Sequence, residues 1–119
     1  MDNANLEIIT RFSREAEKAA GLLKVLSNEQ RLLILCHLSE EGELSVGQLC
    51  DRLGLSQSAL SQHLAKLREK EIVATRKQAQ TIFYSVRDAK ADRVLALLHD
   101  LFCPALGRAA IPIRTGNHD

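Results

Sequence analysis

At 119 residues the chain has room for one domain and one core, and 45% hydrophobic with 26% charged residues is neither a disordered nor a fibrous composition. Aromatic residues make up 3% and tryptophan is absent, so the core has to come from Leu, Ile, Val and Ala, which favours packed helices over a sheet sandwich. A formal net charge of +1 excludes any bulk attraction to nucleic acid.

From Leu6 to Leu26, apolar residues including Ile9, Phe12, Ala16, Leu23 and Leu26 recur at helical spacing, and Gly21 predicts a joint between two helices. Ser27-Asn28 supplies the next start, and Glu29 to Leu38 is apolar around nearly its whole circumference, the mark of a central buried helix. Glu40-Glu41-Gly42 ends it. Ser45, with Gln48 three positions later, has the spacing of a capping box and opens a short helix with Val46, Leu49 and Leu53 on its apolar face. Gly54 stops that helix, and Ser56 opens another with Leu60, Leu64 and Leu67 in line.

Beyond Glu71 the helical period gives way to the two-residue period of strands. Residues 72–76 and 81–86 are β-branched and aromatic runs joined by Lys77-Gln78-Ala79-Gln80, which predicts a hairpin. Asp88 caps a last helix with a broad apolar stripe from Val94 to Phe102, Pro104 ends it, and the tail from Gly107 to Asp119 is expected to fray. The expected architecture is mainly α with a small β-hairpin, ordered α-α-α-α-α-β-β-α, in a single winged helix-turn-helix domain over residues 1–119. No stretch approaches the roughly 20 apolar residues that span a bilayer. Met1 to Asn5 has neither the basic start nor the apolar run of a signal peptide, so a cytoplasmic location is expected.

The helix after Ser56 carries the functional argument. An ordinary surface helix alternates Glu and Lys, whereas this one offers Gln57, Ser58, Ser61, Gln62 and His63, short uncharged groups that donate and accept hydrogen bonds. Such groups enter a major groove without repulsion, and Gln matches the adenine edge. Charge is also segregated. Residues 28–51 carry a net of −4, whereas residues 56–80, with Lys66, Arg68, Lys70, Arg76 and Lys77 against Glu69 and Glu71, carry +3. Lys66, Arg68, Arg76 and Lys77 are expected to neutralise phosphates, Gln78 and Gln80 to reach the minor groove or backbone, and Ser45 and Ser56 to aim helix-start N–H groups at phosphates.

Three segments, Leu26 to Leu35, Glu43 to Leu49 and Leu55 to Arg68 with its Ser-Gln-Ser-Ala-Leu-Ser-Gln-His-Leu core, resemble the ArsR/SmtB family of bacterial repressors. The resemblance covers the chain from about Ala16 to Cys103. It implies a homodimer joined through the first and last helices, two recognition helices on a palindromic double-stranded DNA operator, and no enzymatic activity.

The three cysteines, Cys36, Cys50 and Cys103, are too few and too widely spaced for a secreted disulfide framework. Arsenic-sensing members of the family carry three thiols where this chain has Ser45, Gly47 and Cys50, and one thiolate cannot make that trigonal site. Zinc-sensing members use a ligand set on the last helix that Asp88, His99 and Asp100 do not reproduce. No metal site and no cofactor are therefore expected. On residues alone, Cys36 reads more readily as a buried, inert core cysteine than as a reactive thiol. The contexts of Cys36 and Cys103, however, resemble the persulfide- and redox-sensing subgroup that includes BigR, SqrR and HlyU. The resemblance implies that Cys36 and Cys103 form a redox-sensing pair, bridged by reactive sulfur species as effector, in a regulator that acts as a repressor. Two alternatives are weighed beside it: a metal-responsive repressor of the same family, and a thiol sulfurtransferase, which the lack of any Cys-x-x-Cys disfavours.

Overall fold

The computed structural model describes residues 3–103. The elements run α1 (Asn3–Leu26), α2 (Glu29–Glu41), β1 (Leu44–Ser45), α3 (Val46–Leu53), α4 (Gln57–Glu69), β2 (Val73–Gln78), β3 (Thr81–Val86) and α5 (Ala89–Phe102). This is a mainly helical winged helix-turn-helix. Pro104 and the tail from Gly107, given a stop and a frayed end above, lie outside the described residues.

The joint expected at Gly21 does not form, so five helices stand where six were expected. α1 is unbroken for 24 residues. A glycine inside a helix costs only about 1 kcal/mol relative to alanine, and with no proline nearby the hydrogen-bond ladder carries through it. The chain turns instead at Ser27-Asn28, where the Asn28 side chain accepts from the Arg31 N–H at 3.0 Å and starts α2. Arg31 Nε donates back to the Val25 carbonyl at 2.6 Å, tying the end of α1 to α2.

α2 is the hub, packing against α1, α3, α4, α5 and β3. Its Ile34, Leu35 and Leu38 are completely enclosed and meet Leu49 of α3, Leu60, Leu64 and Leu67 of α4, Leu44 and Val73 of the sheet, and Ala91 and Leu95 of α5 in one core. Each buried Leu, Ile or Val side chain among them contributes about 1.5–3 kcal/mol of transfer free energy. Burial all round α2 is not realised. Leu33 and Cys36, three residues apart on one side, remain exposed.

The sheet has the order β1-β3-β2, all antiparallel. β1 is an addition to the expected elements, since two residues are too few to leave an alternating pattern. The hairpin register runs from Val73 opposite Val86 to Gln78 opposite Thr81, so Lys77 and Gln78 belong to the strand rather than the loop. Only Ala79-Gln80 turns, with Ala79 at φ +56°. Two-residue hairpin loops take positive φ to match strand twist, and a side chain in that region costs about 1–2 kcal/mol. The absence of glycine there made the loop look longer than it is. At the base of the hairpin the Ile72 carbonyl accepts from the Arg87 and Asp88 N–H groups at 2.7 and 3.2 Å.

The Asp88 side chain accepts from the Lys90 N–H and starts α5. Its inner side joins the core, whereas Leu97, Leu101 and Phe102 (77% exposed) face outward. α1 is exposed from Asn3 to Gly21, with Leu6, Ile8, Ile9 and Phe12 (72% exposed) uncovered. No helix among the described residues is long and apolar enough to cross a membrane.

Candidate nucleic-acid interface and thiol pair

Local chemistry places the two helices of the motif. Ser45 Oγ accepts from the Gln48 N–H at 3.2 Å while Gln48 Oε1 accepts from the Ser45 N–H at 2.8 Å, completing the expected capping box at the head of α3. Gly54, at φ +68°, ends α3 by donating its N–H to the Cys50 carbonyl. This left-handed step is where glycine is least strained. Ser56 Oγ then accepts from the Ala59 N–H at 3.2 Å and starts α4, with Ser58 Oγ 3.3 Å away.

Because α4 buries Leu60, Leu64 and Leu67, its opposite side is set by helical periodicity. Gln57, Ser58, Ser61, Gln62, Ala65 and Lys66 form one exposed stripe, with Arg68 exposed farther along. From Ser56 to Ala65 that helix contains no Asp, Glu, Lys or Arg, and its positive charge begins at Lys66. His63 sits half-buried at the edge of the stripe. The surface is uncharged where base edges would lie and positive where a phosphate would follow.

The wing residues do not all converge. Alternation along β2 puts Arg76 and Gln78 on one face and Lys77 on the other, and Gln80 sits in the turn. Arg76 is already engaged. Its Nε and Nη2 donate to the two carboxylate oxygens of Glu43 at 2.9 and 2.8 Å, and its Nη1 donates to Gln78 Oε1 at 2.8 Å. The guanidinium carbon lies 4.7 Å from the centroid of the Phe83 ring. The Arg76 hydrogen bonds hold the Glu43 carboxyl below the usual carboxylate range, and Glu43 in return raises Arg76. Sequence reasoning missed Glu43 and Phe83, which only strand register brings to Arg76.

Cys36 lies at the surface of α2 rather than in the core, and Cys103 caps the end of α5, donating its N–H to the His99 carbonyl at 2.8 Å. α2 and α5 pack together, with Ser39 Oγ donating to Asp92 Oδ1 at 3.1 Å. Although Cys36 as a residue is exposed, partial burial of its thiol pushes its pKa up, and the nearby negative charges of Cys103 and then Glu40 add to that. The two thiols are thus near enough for one charge to be felt at the other. Cys50 is half-buried on α3 against the core. Among the described residues no group of three or more His, Cys, Asp and Glu side chains is arranged to hold a metal ion.

Comparison with known proteins agrees with this geometry. Residues 28–75, which span α2 to the start of β2, match the model of the arsR family of bacterial regulatory proteins. The transcriptional activator HlyU of Vibrio cholerae is 52% identical over 94 residues, 79% of this chain and 86% of that protein. The structure of reduced HlyU from V. cholerae superposes with a TM-score of 0.75 at 52% identity, covering 78% of this chain and 97% of that one. The transcriptional repressor BigR from Xylella fastidiosa superposes with a TM-score of 0.72 at 42% identity, covering 80% and 93%. The chain belongs to the ArsR family of DNA-binding transcriptional regulators, a family of regulators rather than enzymes, and is related within it to HlyU and BigR.

Proposed function

We propose that the chain acts as a homodimer that holds an operator through two copies of α4 and releases it when reactive sulfur bridges Cys36 and Cys103. The observation that supports DNA contact through α4 is its exposed stripe, uncharged from Gln57 to Ala65 and basic from Lys66. Gln57, Ser58, Ser61 and Gln62 read base edges, with His63 beside them. Lys66, Arg68 and Lys77 neutralise phosphates, and the N-termini of α3 and α4 behind Ser45 and Ser56 offer N–H groups to the same strand. The uncovered sides of α1 and α5 are the faces a second copy covers, since exposed Leu, Ile and Phe side chains this numerous mark an interaction surface. Of the relatives above, one is described as an activator and the other as a repressor. Either outcome follows from one act, occupying an operator, and we assign repression here.

The switch rests on where the thiols sit. Cys36 is on the hub helix and Cys103 ends the helix that carries the open apolar face, so a covalent link between them pulls on both the core and the dimer contact. In the sulfur reaction each cysteine thiolate attacks the terminal sulfur of an organic persulfide, R–S–S–H, giving Cys–S–S–H and releasing R–S⁻, which takes up a proton. One cysteine persulfide then attacks the other and expels hydrogen sulfide, leaving a Cys–S–S–S–Cys bridge. The extra sulfur spans a longer gap than a disulfide, which requires Cα atoms about 4.4–6.8 Å apart.

Cys36→Ser and Cys103→Ser are expected to keep operator affinity while losing release by a low-molecular-weight persulfide. Mass spectrometry of the parent is expected to show a bridge carrying one added sulfur. A double serine variant that still lets go of DNA on treatment removes the switch. Because the Cys36 pKa is raised, its thiolate is scarce at neutral pH. Its alkylation should therefore accelerate about tenfold per pH unit up to and beyond the ordinary thiol value of roughly 8.5. A rate that levels off below that value contradicts the environment assigned to Cys36.

A further inference from the structure

Arg76 has the position of a phosphate-binding residue and the contacts of a structural one. Strand register explains how. Ser45, Phe83 and Arg76 are successive partners across β1, β3 and β2, so their side chains share a face of the sheet. From the outer strand the Arg76 side chain crosses the Phe83 ring and closes a two-pronged pair with Glu43, the residue before β1 and two before the N-cap of α3. β1 contributes only two residues to the sheet, at Leu44 and Ser45, so backbone pairing alone gives the wing a short hinge onto the helix-turn-helix. The Glu43–Arg76 bridge is a second tie across the same three strands.

The third prong, Nη1 to Gln78 Oε1 at 2.8 Å, has a directional consequence. A guanidinium only donates, so the Gln78 amide must turn its oxygen inward and its NH2 outward. The side chain at the end of β2 then presents its donors outward. Donors suit phosphate oxygens and the adenine N3 and thymine O2 acceptors of the minor groove.

We infer that Glu43 is a positioning residue for DNA binding, acting through Arg76 to hold the wing at its angle to α3 and to orient Gln78 as a donor toward the duplex. The inference rests on the wing contacting DNA as proposed above. It makes a counterintuitive demand, because removing an acidic group beside a DNA surface raises affinity on charge alone.

The test compares Glu43→Gln, Arg76→Gln and the double variant with the parent. The first readout is the side-chain NH2 resonances of Gln78 by ¹⁵N NMR without DNA. The second is affinity for a duplex selected by the parent from a random-sequence pool, measured over a range of salt. Glu43→Gln is expected to shift or broaden the Gln78 signals and to weaken duplex binding about three- to tenfold, the scale of one lost hydrogen bond. Its salt slope is expected to stay at the parent value, and its effect to vanish in the Arg76→Gln background. An unmoved Gln78 resonance overturns the strap itself, with no reference to DNA. A moved resonance with equal or tighter duplex binding overturns its role in recognition, as do additive effects of the two substitutions. Both residues are half-exposed and outside the core, so the folded state survives to be measured.

Discussion

Replacing Phe12 and Phe102 together with glutamate is expected to yield a folded monomer whose operator affinity falls about 10²- to 10⁴-fold, the range lost when two linked binding modules become independent. Both rings are largely in solvent within one chain, at 72% and 77% exposure, and neither belongs to the core around Ile34, Leu35 and Leu38. The substitutions should therefore leave the cooperative unfolding of the protomer almost unchanged. Each ring covered by a second copy contributes about 1.5–3 kcal/mol, and each glutamate in its place adds the cost of burying an unpaired charge. Sedimentation equilibrium reads the oligomeric state and fluorescence anisotropy the affinity. A variant that stays dimeric denies the interface, and a monomer that binds its operator as tightly as the parent denies the two-fold mode of binding.

The second large effect is expected at the centre of α4. Gln62→Ala should cost about 1–3 kcal/mol of discrimination between the selected duplex and random DNA if the amide makes a bidentate contact to adenine. Binding to random sequence should change little, because phosphate contacts supply most of it. The Gln62 side chain is exposed and has no hydrogen-bond partner among the described residues, so its truncation leaves no orphaned group in the protein. Ser61→Ala, one position earlier on the stripe, is the companion variant. Competition assays with and without excess random duplex separate the two kinds of binding. Equal specificity in both variants would move the recognition surface off α4.

How much of this was legible beforehand depended on the range of the interactions involved. The starts of α2, α3, α4 and α5 were readable because each is set by a side chain bonding a backbone N–H two or three residues away: Asn28, Ser45 with Gln48, Ser56 and Asp88. The exposed stripe of α4 followed from Leu60, Leu64 and Leu67, since three buried positions on one helix settle which way the others point. The basic wing was read less well. Arg76 and Lys77 are neighbours in sequence, but on a strand neighbours face opposite ways, and one of the two is taken by a carboxylate 33 positions earlier.

Sequence by itself determined the order of α2, α3, α4, the hairpin and α5, the caps that begin those helices and the polar character of α4, because capping, helical hydrogen bonds and periodicity all act within a turn or two. Only the tertiary structure decided that the apolar side of α1 stays uncovered, that Cys36 stands at the surface within electrostatic reach of Cys103, and that Glu43 closes on Arg76 across Phe83. These features depend on which faces meet once distant segments are brought together. Local spacing carries no record of that, because its cost and its gain are settled between residues dozens of positions apart.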